Sequence, residues 1–258
     1  MSLELVKSAG RAFYRAKGYF PATIRGKDYK LDPYHFAFWR AAAQERWEPS
    51  TLDAISRYLT PSSTYIDIGA WIGPTVLHAA RQCARVYCFE PDPTALRFLN
   101  WNIDLNELHN VHAFGVAMAA EPGLFRMATF GDNPGDSQTS LLQSKAENFV
   151  EVLAITWADF LQKAKPENVT LIKIDVEGAE FDLVPTMRDY LEAERPALFL
   201  STHAPYLDAD KRKAAMAGLS EALAFYPKVF DEFLNPIDRE ELLSDTAAEA
   251  FGTYLFTD

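Results

Sequence analysis

Cysteine is scarce in this chain. Only Cys83 and Cys88 occur among 258 residues, in what reads as a helix end followed by a buried strand. A disulfide framework is therefore not expected, and two core thiols in a reducing compartment are. Long apolar runs are missing as well. None reaches the roughly 20 residues that a bilayer span needs, and the first 30 residues lack the apolar stretch of a secretory signal. A cytoplasmic location is the expectation. Positive charge is in the minority, with 25 Lys and Arg against 36 Asp and Glu and a net charge of −11. Phosphate binding needs a cationic surface, so a general nucleic-acid binder is not expected. Internal repeats and low-complexity segments are absent too.

What is present is an ordinary globular composition. Hydrophobic residues at 48% and charged residues at 24% exclude disorder, collagen and coiled coil for the chain as a whole. The length suits one large α/β domain or two small ones. Charge is unevenly spread: residues 1–30 carry Lys7, Arg11, Arg15, Lys17, Arg25, Lys27 and Lys30 against Glu4 and Asp28. The plain reading of that stretch is a solvated amphipathic N-terminal helix. A lid or docking surface for an anionic substrate or membrane face is the sharper one.

Apolar periodicity splits the chain near Pro61. Before it, Ala41–Leu59 reads as helical, with a second helix starting at Glu48-Pro49-Ser50. After it, strands and helices alternate. Strands are expected at Thr64–Ile68, Arg85–Glu90 and Val111–Phe114, with helices opening at Pro74 and Pro93 between them. Such alternation implies βαβ units and a parallel sheet. Val116–Met118 and Leu124–Thr129, separated by Glu121-Pro122-Gly123, read as an inserted hairpin. The polar stretch Gly131–Ser144 that follows has the composition of a lid or a substrate contact. Alternation then resumes through a strand at Val152–Ile155, a helix at Trp157–Lys163, a strand at Leu171–Ile174, a helix at Ala179–Leu191 and a strand at Ala197–Ser201. A helix over Asp210–Phe225, a strand near Val229 and a last strand at Gly252–Phe256 complete the pattern.

The first strand-helix turn reads Asp67-Ile68-Gly69-Ala70-Trp71-Ile72-Gly73. Two glycines four apart allow a tight turn and close approach of a ligand beside a helix N-terminus. Gly-Lys followed by Ser or Thr, which a P-loop needs, does not occur, and the turn has two glycines where a dinucleotide fingerprint has three. An ionised Asp67 at the strand tip would repel a pyrophosphate and suit a ligand carrying an ammonium and a sulfonium. Glu90, 21 residues beyond Gly69, closes the second strand where a carboxylate accepts both ribose hydroxyls. S-adenosylmethionine fits these demands. In an open parallel sheet the ligand binds outside the carboxyl ends of the strands, and there Leu171-Ile172-Lys173-Ile174-Asp175-Val176-Glu177-Gly178-Ala179-Glu180 sets three carboxylates.

With these motifs the chain resembles the FkbM-type S-adenosylmethionine-dependent methyltransferases. The resemblance rests on Ile66–Gly73, on Phe89-Glu90-Pro91, on Asn102 and Asn106, and most specifically on Ile172–Glu180, and covers roughly residues 60 to 205. It departs at Thr156-Trp157-Ala158-Asp159, where the family often has Thr-Leu-Asp-Asp. It implies a class I methyltransferase fold: α/β, a Rossmann-like, mostly parallel, doubly wound sheet of seven strands with an antiparallel last strand. It also implies a cytosolic enzyme that methylates hydroxyls of sugars, glycans or natural products. The expected organisation is an N-terminal helical extension over 1–60 and the donor-binding domain over 61–258. Expected cofactor contacts are Asp67, Gly69, Ala70, Gly73, Glu90, Pro91 and Val116.

Methyl transfer to a hydroxyl needs alignment and a base. Asp175 and His203, at the tips of the fourth and fifth core strands, are the first candidates, with Glu177 third. These three residues are the expected catalytic set. A divalent metal held by them is chemically allowed, but the spacing is no metal signature and no metal is expected. Lys173 is expected on the opposite face of the strand from Asp175, in a structural role. His35, His78, His109 and His112 read as ordinary surface or core residues. Tyr34, Phe36, Phe38, Trp39 and Trp47 could make a sugar-stacking wall or a homodimer contact, with core packing the preferred reading. Amine, carboxylate or RNA acceptors, and a non-catalytic nucleoside-binding partner protein, remain as competing readings.

Overall fold

The computed structural model describes residues 3–129, 139–140 and 149–258. From the N-terminus run α1 (Leu3–Lys17), β1 (Phe20–Ile24), β2 (Lys27–Leu31), α2 (Phe36–Ala43) and α3 (Pro49–Tyr58). Next come β3 (Thr64–Ile68), α4 (Pro74–Ala80), β4 (Arg85–Phe89), α5 (Pro93–Leu105), β5 (Val111–Phe114), β6 (Ala117–Met118), β7 (Gly123–Thr129), β8 (Thr139–Ser140) and β9 (Val150–Ile155). The chain continues through α6 (Trp157–Ala164), β10 (Val169–Ile174), α7 (Glu180–Glu194), β11 (Ala197–Thr202), α8 (Arg212–Ala222), β12 (Lys228–Phe230), β13 (Pro236–Ile237), α9 (Asp245–Glu249) and β14 (Gly252–Thr257). Among the described residues no helix is long and apolar enough to cross a membrane.

The main sheet has the order β13-β12-β14-β11-β10-β3-β4-β5. Strands β5, β4, β3, β10 and β11 pair in parallel, and β14 enters antiparallel between β11 and β12. This is the expected α/β arrangement of seven strands with an antiparallel last strand, plus the two-residue β13 at the edge. Strand alternation sorts the core onto two faces. Tyr65 of β3 packs in one buried cluster with Trp39, Leu52 and Leu99. Ile66 and Ile68, its neighbours in sequence, pack on the other face with Leu183, Met187 and Leu219. Helices therefore cover both faces, which is why these strands are apolar almost throughout.

Local signals place the helices. Pro93 opens α5 and the Asp92 carboxylate accepts the Thr94 and Ala95 N–H groups at 2.7 and 2.9 Å, an N-cap. Thr156 and Asp159 form a reciprocal capping box on α6. The departure from Thr-Leu-Asp-Asp thus keeps the two residues that start this helix.

The inserted ribbon is paired differently from the expected hairpin. β6 and β7 do not pair with each other. Both flank β9, β6 in parallel and β7 antiparallel, and β8 completes a second sheet of order β6-β9-β7-β8. The strand at Val152–Ile155 accordingly belongs to this second sheet and not to the main alternation. Of the polar stretch Gly131–Ser144, all but Thr139–Ser140 lies outside the described residues.

The first 60 residues are not helical throughout. β1 and β2 form an antiparallel pair in which Ile24 faces Lys27, and Arg25 and Gly26 turn it with φ of +49° and +71°, the two-residue geometry that suits strand twist. This ribbon is clasped to α5. Asn106 donates to Lys30 O at 2.6 Å and accepts from Lys30 N at 3.1 Å. Asn102, fully buried, accepts Asp32 N at 2.7 Å and donates to Ile72 O at 3.0 Å. Asp32 in turn accepts Trp39 Nε1 at 2.8 Å and lies 2.8 Å from His35 Nδ1. Trp39 is core, Tyr34 is 54% exposed, and Phe38 and Trp47 reach the cavity described next.

Candidate active site

Strand order reverses between β3 and β10, because the chain builds β4 and β5 to one side and β10 and β11 to the other. Carboxyl-end loops diverge at such a point and leave a crevice. A cavity of about 430 Å³ lies there. The tips of β3, β4, β10 and β11 supply Gly69, Ala70, Glu90, Pro91, Asp175, Glu177 and His203 to its wall. The structure thus brings seven of the ten expected site residues together. Asp67, Gly73 and Val116 are not on that wall.

The glycine turn is shaped by neighbouring protein more than by access for a ligand. Gly69 has φ +88°, and a Cβ there would lie 1.8 Å from the Asp175 carbonyl oxygen. Gly73 has φ +93°, and its Cβ would lie 2.6 Å from Leu99 Cδ1. The turn also presents the Trp71 N–H to Glu90 Oε2 at 2.7 Å, while Glu90 Oε1 accepts the Asp92 N–H at 2.8 Å. Burial raises the Glu90 pKa to about 7 against the opposing pull of these two N–H groups. Each carboxylate oxygen keeps a further lone pair for a donor.

Asp67 is fully buried. It accepts the Tyr65 and Thr75 hydroxyls at 3.1 and 2.5 Å, and Lys173 Nζ lies 3.5 Å away. Burial raises its pKa, opposed first by Lys173. Lys173 also lies 3.2 Å from Asp175 Oδ2 and 3.3 Å from Gly69 O. The expectation that Lys173 and Asp175 lie on opposite faces is wrong: residues two apart in a strand share a face. Burial would lower the Lys173 pKa, but Asp175 and Asp67 hold it above its usual value.

Beyond this ion triad stands a second cluster. His203 Nε2 is 3.5 Å from Asp175 Oδ1 and 3.4 Å from Glu177 Oε2, and Nδ1 is 3.4 Å from Glu180 Oε1. Glu180 has no exposure and is pinned by the Gly178 and His203 N–H groups at 2.8 and 2.6 Å. Burial alone would lower the His203 pKa, yet Glu180, Glu177 and Asp175 raise it to about 9. Burial raises Glu177 to about 7, with His203 opposing. Burial would raise Asp175 as well, but Lys173 and then His203 hold it below the usual carboxylate range. At neutral pH the cluster is therefore an imidazolium among carboxylates, of which Glu177 is poised to gain or lose a proton. One donor atom from each of Asp175, Glu177 and His203 lies within 4.8 Å of the others, a set that suits a divalent cation in chemistry and size.

A family model described as the methyltransferase FkbM domain matches residues 67–225. The chain belongs to the FkbM methyltransferase family. Among relatives, Methyltransferase 1 of Beauveria bassiana (strain ARSEF 2860) is 26% identical over 147 residues, 49% of this chain and 59% of its own length. The crystal structure of methyltransferase FkbM from Methylobacillus flagellatus KT matches with a TM-score of 0.48 at 19% identity, covering 87% of this chain and 54% of that one. SMU.1697c from Streptococcus mutans, in complex with SAH, matches with a TM-score of 0.46 at 12% identity, covering 81% of this chain and 96% of that one. The chain thus spans a little over half the length of the first two.

On the cavity wall of this FkbM-family chain, Glu48 and Phe251 carry no sequence signal for a site, whereas Trp47 belongs to the aromatic group read above as core, sugar-stacking wall or dimer contact. Trp47 and Glu48 arrive from the segment before β3, and Phe251 from the loop before β14. Glu48 is legible only as the residue before Pro49 at a helix start. Phe251 is 57% exposed, with its ring 5.6 Å from that of His203 and 5.1 Å from that of Tyr206.

Proposed function

We propose that this chain transfers a methyl group from S-adenosylmethionine to a hydroxyl of a sugar, glycan or natural product, leaving S-adenosylhomocysteine. The observation that carries the reading is that one cavity at the switch point holds both the Glu90 carboxylate and the Asp175–Glu177–His203 cluster. The residues suit the donor. Glu90 has lone pairs for two ribose hydroxyls, and the wall bears Glu48, Glu90, Asp175 and Glu177 against Lys173 and His203, an acidic surface for a cationic ligand.

When bound, the donor supplies a methyl group activated by its sulfonium. Glu90 anchors the nucleoside, and Glu177 takes the proton of the acceptor hydroxyl. His203, as imidazolium, holds Asp175 and Glu177 in place. A base so placed adds about 10²–10⁴-fold, and alignment of the partners up to about 7–11 kcal/mol. A second reading of the same step is favoured by the spacing of the Asp175, Glu177 and His203 donor atoms: a divalent cation held there would lower the pKa of the acceptor hydroxyl directly. A cytoplasmic location belongs to the same proposal and is supported by the free, buried thiols of Cys83 and Cys88.

The test is release of S-adenosylhomocysteine on incubation with the donor and a panel of hydroxylated acceptors, run beside amines, carboxylates and RNA. Turnover with hydroxyl acceptors is expected. Turnover confined to another class would replace the acceptor, and none with any class would favour a nucleoside-binding partner protein.

A further inference from the structure

A donor with an ammonium and a sulfonium needs carboxylate near its amino-acid end. From the motif alone Asp67 is the natural choice, but its carboxylate is sealed. It has no exposure and is engaged by Tyr65, Thr75 and Lys173. Lys173 Nζ, Asp67's cationic partner, lies between it and Asp175. The carboxylate of Asp67 is thus spent inside the protein.

Glu48 stands on the cavity wall with Gly69, Ala70 and Asp175, an exposed residue whose carboxyl pKa is raised by burial and then by Asp175, with Lys173 opposing. It precedes α3 without capping it through its side chain, and its Oε2 accepts the Thr51 hydroxyl at 3.0 Å. Direction follows from the sheet. Glu90 closes β4, the glycine turn closes β3, and Asp175 closes β10, three neighbours in that order. The tips of β4 and β10 are two strand spacings apart, about 10 Å. A nucleoside anchored at Glu90 therefore extends its amino-acid arm across the Gly69–Trp71 turn toward Asp175 and Glu48. Asp175 is already matched by Lys173 at 3.2 Å.

We infer that Glu48, contributed by the segment before the methyltransferase core, receives the ammonium of the methyl donor in place of Asp67. This rests on the donor reading above. It gives the N-terminal segment a direct part in donor recognition, and it makes the Asn102 and Asn106 clasp the means by which that part is held in register.

Isothermal titration separates this from a structural role. Wild type and Glu48→Gln are titrated with S-adenosylmethionine, with S-adenosylhomocysteine, and with 5′-methylthioadenosine, which keeps the nucleoside and sulfur but lacks the amino-acid arm. Loss of a charged hydrogen bond is expected to raise Kd about tenfold or more for the first two ligands, with 5′-methylthioadenosine unchanged within about twofold. An equal change for all three ligands, or none for any, would overturn the assignment while leaving the donor reading standing. A wild-type protein that binds none of them would refute both.

Discussion

The ammonium of Lys173 lies 3.2 Å from the carboxylate of Asp175, and the same nitrogen is 3.5 Å from Asp67. Neighbouring strands β3 and β10 set Asp67 and Lys173 directly opposite each other. One cation therefore links the first motif of the chain to the third, under the glycine turn. Replacing it by an apolar residue of similar length leaves two carboxylates without their counter-ion, one of them in the interior. Lys173→Met is expected to destabilise the fold by about 3–5 kcal/mol, read from denaturant unfolding. A loss below about 1 kcal/mol would show that the charge is not what this site requires.

The proton inventory predicts a bell-shaped pH profile for kcat/KM. In the proposed mechanism Glu177 acts ionised, so the rate is expected to climb as pH passes about 7. In the same mechanism His203 acts as imidazolium, so the rate is expected to decline as pH passes about 9. Glu177→Gln is expected to remove the acid limb along with most of the activity. Chelation separates the second reading: EDTA abolishes turnover only if a divalent cation takes part.

Gly69→Ala places a methyl group against the Asp175 carbonyl at a φ of +88°. Backbone strain alone costs more than about 1 kcal/mol, and the clash cannot be relieved by rotating a side chain. A lower melting temperature with loss of donor binding is expected. A variant of wild-type stability would mean that the β3 and β10 loops separate easily.

Asn102→Ala removes the partner of the Asp32 N–H and of the Ile72 carbonyl in the interior. Each orphaned group costs about 1–3 kcal/mol. Hydrogen exchange is expected to quicken over residues 20–48, and donor affinity to fall with it, because Trp47 and Glu48 hang from that segment. Faster exchange with unaltered affinity would separate the clasp from the site.

The main sheet is legible in the sequence because Thr64–Ile68, Arg85–Glu90 and Leu171–Ile174 are short, largely apolar runs, each closed by a turn or a charge and each followed by a periodic segment. Pairing partners are a different matter. β6 and β7 look like a hairpin across Glu121-Pro122-Gly123, yet both find β9 from later in the chain, and local turn signals carry no information about a strand that distant. The β1–β2 ribbon has a signal, Arg25-Gly26 between alternating residues, which the run of positive charge around it obscures.

The site divides along the same line. Gly69, Glu90, Asp175, Glu177 and His203 line the cavity where motif and strand tip alone would put them, since every parallel strand delivers its carboxyl end to one edge. Asp67 lies in the same motif, but its burial and its distant partner Lys173 do not show in the local spacing. Glu48 and Phe251 reach the cavity by tertiary packing from the two ends of the chain.

The central claim is most directly tested by isothermal titration of the purified protein with S-adenosylmethionine and, separately, with NAD, repeated on Glu90→Ala. One donor bound per chain, a Kd at least about tenfold weaker in the variant, and no heat from NAD are expected. Preference for NAD, or donor binding untouched by the loss of Glu90, would contradict it.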